Sequence, residues 1–279
     1  MTKRPVNAGL SRRSLLTGLA ATAAATVAAG SAALPRSAVK TWDMSTDVLV
    51  IGSGSAGVCA AIEARQAGAE VMLIESLSQF GGSSAMSGGV VYAGGGTALQ
   101  KALKVDDSVE EMYRFVALAG DANPPLDKIA LYCEESPAHF DWLVAQGIPY
   151  SEKLTLAKGL PMGDESLYLS GTEQAWPARE LAKPALRGHV PGVDGMNGGR
   201  RLMEALLSRA YTLGVSLRAS VSADRLVIES DGRIAGVIVT VAGESLAIQA
   251  KRGVVLACGG FIHNREMLKL YAPKLYECS

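Results

Sequence analysis

The sequence has few of the residues that build a disulfide scaffold, a zinc site or a nucleic-acid surface. Its 279 residues include only 4 cysteines and 3 histidines. The cysteines are too sparse for a disulfide framework and show no C-x-x-C spacing, so we predict no structural metal site. Lysine plus arginine equals aspartate plus glutamate, 27 of each, which leaves no net field to attract nucleic acid. The hydrophobic content of 48% excludes a disordered chain.

Residues 1–40 have the composition of an export signal rather than of a folded segment. A basic start that ends in Arg12 and Arg13 is followed by residues 14–35, which carry no charge and are mostly small. This order is typical of a bacterial signal peptide, and the run SRRSLL at 11–16 matches a twin-arginine signal. A retained membrane anchor is the alternative, because the uncharged run is long enough to span a bilayer. Its alanine-rich composition favours the export signal.

The twin-arginine route carries proteins that fold before export, which suits a protein that must first collect a cofactor. We therefore expect the twin-arginine export machinery as a partner. The expected location is across the bacterial inner membrane, in the periplasm or cell envelope. The predicted organisation is a signal peptide at 1–40 and a single domain at 45–279.

A strand, a glycine turn, a helix, a second strand and an acid follow one another after the leader. Val48–Ile51 and Val71–Ile74 are short apolar runs that are typical of buried parallel strands. Between them lie the turn Gly52–Gly57 and a predicted helix over 56–67, and Glu75 closes the second strand. This order indicates a dinucleotide-binding unit, whereas an ordinary turn is the alternative for a glycine motif taken alone.

The residues of the turn have separate tasks in dinucleotide binding. Gly52 permits the tight turn, Gly54 lets the backbone approach a pyrophosphate, and Gly57 lets the helix pack close to the strand. Ser55 and Ala56 lie at the start of the predicted helix, where free N–H groups and a partial positive charge face the phosphates.

The acid and the segment after it narrow the choice of dinucleotide. Glu75, with Ser76 beside it, suits the hydroxyls of a ribose and disfavours NADP. The segment Gly81–Gly89 follows shortly, where a nicotinamide enzyme would carry a simple helix. Its hydroxyls and bare N–H groups favour FAD, since they suit a second phosphate contact and a flavin ring; a flexible linker is the alternative. The predicted contacts in this segment are Gly81, Gly82, Ser83, Ser84, Ala85, Ser87, Gly88 and Gly89.

Several strings resemble one flavoprotein family. VLVIGSGSAGVCAAIEARQAGAEVMLIE, followed by GGSSAMSGG, resembles the family of fumarate reductases and 3-ketosteroid dehydrogenases. The longer string GGSSAMSGGVVYAGGGTALQ is most similar to the ketosteroid-dehydrogenase branch, as are FDWLVAQGIPY at 140–150 and SGTEQAWPARELAKPALRGHVPG at 170–192. VVLACGGF at 254–261 resembles the family's A-T-G-G-F strand, with Cys258 in the threonine place. The resemblance covers residues 45–279.

The resemblance implies the fold and further cofactor contacts. The expected fold is α/β: a Rossmann-like, glutathione-reductase-type FAD-binding domain with a central parallel sheet and an added antiparallel hairpin or meander. It implies FAD contacts at Ala257 and Gly259 and a backbone contact to adenine at Ala223, with Val221 as the alternative. Because family members are about twice as long, we expect the substrate domain to be absent and the catalytic residues, which stay unknown, to lie beyond Ser279.

The function that the resemblance implies is FAD-dependent hydride transfer. The implied reaction dehydrogenates a 3-ketosteroid-like small molecule next to its ketone: a base removes a proton from the carbon beside the ketone, and the neighbouring hydride passes to flavin N5. One alternative is an exported reductase of fumarate-like or urocanate-like unsaturated acids, and another is a truncated, non-catalytic flavin-binding fragment. The electron acceptor or donor is unknown. Tyr92, shortly after the flavin segment, is a candidate for facing the substrate, and His189 is expected to be an exposed or structural loop residue.

The remaining elements are predicted as scaffold. A capping box at Ser108 predicts a helix to about Ala119, and Ser136 with Pro137 predicts the start of another. A strand near 215–218, a hairpin around Asp231-Gly232 and a strand near 245–250 follow further along. The Gly- and Pro-rich stretch 155–200 is predicted to be a functional cover with little regular structure.

Overall fold

The computed structural model describes residues 33–120, 123–157, 159–262 and 264–278. Most of the predicted export signal, with Arg12 and Arg13, lies outside the described residues. Within them the strands form one seven-stranded and one four-stranded sheet. In chain order the strands are β1 Leu34–Pro35, β2 Met44–Ile51, β3 Val71–Ile74, β4 Val91–Tyr92, β5 Leu154–Thr155, β6 Leu167–Tyr168, β7 Gly188–His189, β8 Ser216–Arg218, β9 Val221–Ile228, β10 Ile234–Val241 and β11 Glu244–Leu256.

The helices differ widely in length. The two longest helices, α5 (Leu126–Ala145) and α7 (Gly198–Thr212), supply most of the helical core together with α1 (Ser55–Gln66), which follows β2. In chain order the helices are α1 Ser55–Gln66, α2 Gly82–Ala85, α3 Ala98–Ala102, α4 Val109–Ala119, α5 Leu126–Ala145, α6 Ala178–Leu181, α7 Gly198–Thr212, α8 Arg265–Tyr271 and α9 Pro273–Glu277, with a 3-10 turn at Arg36–Ala38.

The large sheet has a parallel part and an antiparallel part. Its strand order is β1-β9-β10-β11-β2-β3-β8. The strands β11, β2, β3 and β8 are parallel neighbours, whereas β9, β10 and β11 form an antiparallel meander. This arrangement confirms the predicted α/β fold, with its central parallel sheet and added meander.

Alternate residues of the parallel strands bury against different layers, as the two-residue period of a strand requires. Val50 and Leu73 face a core with α1 and α7, which includes Leu202 and Leu206 of α7. Leu49 and Met72 face the core formed with the meander. Because both faces are covered, Val48–Ile51 of β2 and the whole of β3 are apolar.

The carboxyl ends of the parallel strands are aligned. Ile51 pairs with Leu256 on one side and with Ile74 on the other, and Ile74 pairs in turn with Arg218. The segments that follow these strands therefore start side by side at one edge of the sheet. Ligands of open α/β sheets bind at this edge.

The helix predicted to begin at Ser136 and Pro137 begins earlier. The helix α5 starts at Leu126 and carries Pro137 inside it. Proline costs a helix hydrogen bond and a steric clash, but Cys133, Ser136 and Phe140 lie on one buried face of α5 across this point. Burial of that face offsets the cost of the proline, so the prediction of a new helix start was wrong.

Two further segments differ from the sequence-based expectation. The strand predicted at 245–250 and the apolar run from 254 form one strand, β11, with an irregularity between Ala250 and Gly253. The stretch 155–200 contributes strands of two residues to the small sheet, whose order is β4-β7-β6-β5, and the short helix α6.

The end of the range 1–40, which the sequence predicts to be a signal peptide, belongs to the folded domain. Leu34 and Pro35 pair with Val227 and Ile228, and Val39 is buried. No helix among the described residues is both long and apolar enough to cross a bilayer.

Candidate functional site

Two glycines of the turn are required by the packing of the protein itself. Gly52 has a φ of +103°, and a Cβ built on it would lie 2.3 Å from the carbonyl oxygen of Ala257. A Cβ on Gly57 would lie 1.9 Å from the carbonyl oxygen of Gly52. Any side chain at either position would therefore collide with backbone, so both glycines hold the turn against the neighbouring strand.

Gly54 differs, because the protein gives no packing reason for a glycine there. Its φ of −65° and ψ of 176° suit any residue. A Cβ on Gly54 would meet only the hydroxyl of Ser84, at 3.6 Å. The missing side chain leaves an open space in front of the N-terminus of α1. We call this space, which Gly54, Ser55 and Ser84 border, the cradle.

The start of α1 offers unused donors to this cradle. Gly54 is the N-cap residue and makes no side-chain cap. The N–H of Ser55 donates to Ser84 Oγ at 3.1 Å, whereas the N–H groups of Ala56 and Gly57 have no acceptor among the described residues. Free N–H groups at the start of a twelve-residue helix form an anion site that suits a phosphate.

Glu75 places an ionised carboxylate beside the turn. Its side chain is buried, and Oε2 accepts hydrogen bonds from the N–H of Ser53 at 3.0 Å and from Ser53 Oγ at 2.6 Å. Its Oε1 accepts from Ser76 Oγ at 3.1 Å and from the N–H of Leu77 at 3.0 Å. Burial acts to raise the pKa of Glu75, but the hydrogen bonds from Leu77 and Ser53 outweigh it and hold the pKa below its ordinary value.

The predicted segment Gly81–Gly89 folds back onto the turn. The N–H of Gly81 donates to Ser53 Oγ at 2.9 Å, and Gly81 then starts α2. Ser83 is exposed, whereas Ala85 packs against the helical core. Ser87, also exposed, donates its hydroxyl to the carbonyl of Ser84 at 2.8 Å.

A second pair of contacts joins α2 to the start of α1. Ser84 Oγ accepts from the N–H of Ser55 and lies 3.1 Å from Ser55 Oγ. Gly82 has a φ of +50°, and a Cβ on it would lie 3.6 Å from the Cα of Gly54. Both glycine-rich segments therefore line one cradle, and their binding of one ligand stays a prediction.

The end of the segment packs against a glycine pair that the sequence analysis did not predict as part of the site. A Cβ on Gly89 would lie 2.2 Å from the carbonyl carbon of Gly198, and a Cβ on Gly198 would lie 2.2 Å from the carbonyl oxygen of Gly88. The N–H of Gly199 donates to the carbonyl of Ser87 at 3.1 Å. Gly89, Gly198 and Gly199 thus allow two backbones to touch where the segment meets the start of α7. The glycine pair is visible in the sequence, but it indicates no contact until the chain is folded.

Ala257 and Gly259 follow the strand β11. Ala257 donates its N–H to the carbonyl of Ile51 at 2.8 Å and covers the turn at Gly52. Gly259 has a φ of +81°, and nothing lies within 4 Å of a Cβ built on it. Both residues thus leave the same sheet edge as the turn, as their predicted role in cofactor binding requires.

Val221 and Ala223, the two candidates for the adenine contact, differ in how they lie relative to Glu75. The N–H of Val221 donates to the backbone carbonyl of Glu75 at 2.9 Å. Ala223 lies two residues further along β9, where it pairs with Val239 of β10. The assignment of the adenine contact to Ala223 stays a prediction.

A buried ion pair supports the small sheet beside the site. The guanidinium of Arg187 binds the carboxylate of Asp107 through Nε–Oδ2 at 3.0 Å and Nη2–Oδ1 at 2.7 Å, with both side chains fully buried. Burial acts to raise the pKa of Asp107, but Arg187 outweighs it and holds that pKa below its ordinary value. Tyr92 donates its hydroxyl to Glu173 at 2.7 Å, so this hydroxyl is already engaged within the protein.

His189 is structural and buried rather than exposed. Its Nδ1 lies 3.0 Å from the carbonyl oxygen of Arg187, which can only accept, so Nδ1 carries the proton. Its Nε2 then accepts from the hydroxyl of Thr97 at 2.9 Å. Burial lowers the pKa of His189 to about 4, so the imidazole is neutral at neutral pH. Among the described residues no group of His, Cys, Asp or Glu side chains is arranged to hold a metal ion.

The geometry of the cradle fits a dinucleotide. Gly54 leaves space in front of the start of α1, and the free N–H groups there suit a pyrophosphate. Glu75, at the neighbouring strand end, suits a ribose diol. The second glycine-rich segment lines the far side of the same cradle. A site for one nucleotide would need only the first segment, so the two segments together suit a dinucleotide.

Comparison with known proteins agrees with this geometry. The model of the FAD binding domain family matches residues 47–278. The acrylate reductase flavoprotein subunit of Shewanella woodyi is 30% identical over 95% of this chain and 49% of its own length. The 3-oxo-5-alpha-steroid 4-dehydrogenase of Comamonas testosteroni is 35% identical over 73% of this chain and 39% of its own length.

A solved structure shows the same fold at higher identity. It is the 3-ketosteroid-Δ4-(5α)-dehydrogenase of Rhodococcus jostii RHA1 in complex with 4-androstene-3,17-dione. That protein is 42% identical to this chain, with a TM-score of 0.83 over 87% of this chain and 51% of its own. The chain therefore spans about half the length, or less, of the relatives that it matches.

Proposed function

The chain belongs to the FAD binding domain family, and from this premise we propose that it serves a dehydrogenase acting on a 3-ketosteroid-like substrate. In the proposed reaction a base would remove a proton from the carbon next to the ketone of the substrate, and the hydride of the neighbouring carbon would pass to bound FAD. The proposed substrate class rests on the 42% sequence identity between this chain and a ketosteroid dehydrogenase over most of the chain. A second steroid dehydrogenase among the relatives supports the same class.

The residues of the chain would hold the cofactor by backbone contacts and one charge. We place the pyrophosphate in the cradle at Gly54, where the N–H groups of Ala56 and Gly57 are free. Glu75 would accept hydrogen bonds from the ribose hydroxyls. The backbone at Gly88 would approach the flavin ring. Bound FAD supplies the hydride chemistry, while the protein orients it and excludes competing reactions.

The test is a turnover assay of the full-length protein. A 3-ketosteroid is offered together with an artificial electron acceptor, and flavin-dependent reduction of the acceptor is followed. We expect steroid-dependent turnover that is lost when the flavin is removed and restored when FAD is added back. Absence of turnover with 3-ketosteroids in a flavin-loaded protein would contradict the substrate class.

A reductase of unsaturated acids is the second candidate function. It is favoured by the acrylate reductase subunit, whose likeness extends over 95% of this chain, and by the twin-arginine run at 11–16. Exported reductases draw electrons from donors in the membrane. Oxidation of reduced viologen by fumarate, acrylate or urocanate, without any steroid turnover, would select this function over the first.

The location is a separate part of the proposal. Arg12 and Arg13 would direct export of the folded, flavin-loaded protein across the inner membrane. Changing both to lysine keeps the charge but removes the arginine pair that the export receptor recognises. We expect the double variant to stay in the cytoplasm, and its unchanged recovery from the periplasm would remove the twin-arginine assignment.

A further inference from the structure

The hydroxyl of Ser53 joins all three segments of the cofactor cradle. Ser53 lies inside the turn, between Gly52 and Gly54, and is fully buried. Its Oγ lies 2.6 Å from Glu75 Oε2, at the end of β3. The same Oγ lies 2.9 Å from the amide nitrogen of Gly81, which opens the second glycine-rich segment.

The chemistry of the two partners fixes the direction of both hydrogen bonds. A carboxylate oxygen only accepts and a backbone N–H only donates. The single proton of Ser53 must therefore point to Glu75, and its lone pair must accept from Gly81. The result is a directed chain from Gly81 through Ser53 to Glu75, and each bond in such a chain strengthens the next.

We propose that Ser53 is the positioning residue that holds the Glu75 carboxylate and the Gly81 backbone in the geometry that FAD requires. The proposal rests on the proposed placement of the FAD ribose at Glu75. Ser53 does not touch the cofactor in this account; it acts through the two groups that do.

The other donors to Glu75 show why Ser53 is suited to this task. All four donors to the carboxylate are within 3.1 Å, and two of them are backbone N–H groups. The hydroxyls come from Ser53, which is fully buried, and from Ser76, which is exposed. A ribose hydroxyl that binds Glu75 must take the place of one donor. The exposed hydroxyl of Ser76 can turn away into solvent, whereas the buried hydroxyl of Ser53 is held at both ends.

The pH dependence of FAD binding separates this role from plain packing. The hydrogen bond from Ser53 is one of the contacts that lower the pKa of Glu75 against the opposing effect of burial. FAD affinity should therefore fall in acid as Glu75 becomes protonated. Removing the Ser53 hydroxyl should raise the pKa of Glu75, so the loss of FAD affinity in acid should begin at a higher pH.

The experiment is a double-mutant cycle on the full-length protein, with FAD affinity measured by fluorescence titration between pH 7.5 and 3, because the pKa of Glu75 is held below its ordinary value. We expect Ser53→Ala to weaken FAD binding roughly tenfold at pH 7.5 and to move the midpoint of the acid loss upward. In the Glu75→Gln background the same change should have a clearly smaller effect, because the part that acts through the Glu75 carboxylate is already lost and residues that act as one unit are not additive.

Ser136→Ala is the matched control. Ser136 is a buried serine whose hydroxyl also accepts from a glycine N–H, that of Gly94 at 2.9 Å, but it lies outside the cradle. It should cost thermal stability without changing FAD affinity or the acid midpoint. If Ser53→Ala does not fold, Ser53→Cys, with a weakly hydrogen-bonding thiol, supplies the same comparison.

Two results would count against the proposal in different ways. Equal effects of the Ser53 change with glutamate or glutamine at position 75, with an unmoved acid midpoint, would show that Ser53 only fills space. An unchanged FAD affinity in Glu75→Gln alone would instead overturn the placement of the ribose on which the proposal rests.

Discussion

Replacement of Gly54 by alanine should separate cofactor binding from folding. The backbone of Gly54 has dihedral angles that alanine adopts freely, and the added Cβ would meet only Ser84 Oγ at 3.6 Å. The protein alone therefore accepts the methyl group. The same methyl group would stand in the cradle where we place the pyrophosphate.

The two effects differ in size and can be worked out from the site. Alanine restricts the unfolded chain, which stabilises by about 0.4–1 kcal/mol, but it is a poorer N-cap than glycine by roughly the same amount. The net change in the free energy of unfolding should be within about 0.6 kcal/mol, or within roughly 3 °C in Tm. Crowding of the cofactor by one methyl group costs about 1–3 kcal/mol, which corresponds to a 5- to 150-fold loss of FAD affinity.

The assay compares Gly54→Ala with Gly57→Ala in the full-length protein. A Cβ at Gly57 would lie 1.9 Å from the Gly52 carbonyl oxygen, so this variant should lose about 3 kcal/mol or more of stability and several degrees in Tm. FAD affinity is followed by fluorescence titration and Tm by circular dichroism of the flavin-free protein. Wild-type affinity in Gly54→Ala, or a Tm loss as large as that of Gly57→Ala, would refute the assignment of the cradle.

Further predictions follow from the charged and titrating groups. Glu75→Gln should weaken FAD binding about ten- to a hundredfold, since hydrogen bonds to a charged group are worth roughly 1.5–3 kcal/mol; unchanged affinity in the titration would contradict the ribose assignment. Asp107→Asn leaves the fully buried Arg187 charge uncompensated and should cost about 3–5 kcal/mol, measured by urea unfolding, whereas a loss below 1 kcal/mol would argue against the pair. The pKa of His189 falls from 6.5 to about 4 on folding, so the unfolded chain binds the extra proton and stability should fall by up to about 3 kcal/mol as the pH drops from 6.5 to 4. His189→Gln should lack this part of the pH dependence, and an identical slope would contradict it.

The parts of the fold that were predictable from the sequence are those set by local patterns. The strand Val71–Ile74 and the helix after the turn were predicted within one residue, because apolar runs and a glycine stop determine them locally. The helix α5 was not, since its path through Pro137 depends on burial against other elements. Propensity gives way to tertiary packing at such positions.

The same distinction holds for the candidate site. The glycine turn and Glu75 were predicted because their spacing reflects the chemistry of a dinucleotide. Ser53 and the pair Gly198-Gly199 were missed, because their importance depends on partners far along the chain. A serine in a glycine turn and two glycines before a helix carry no such information until the chain is folded.

The identity of the cofactor that the protein holds is the most direct test of the assigned site. The full-length protein is purified, denatured, and its released cofactor is identified by chromatography and fluorescence, while separate samples are titrated with FAD and NAD. We predict FAD as the released cofactor, close to one per chain, with no measurable NAD binding. A protein that releases no flavin, does not take up FAD and binds NAD in the titration would contradict the account.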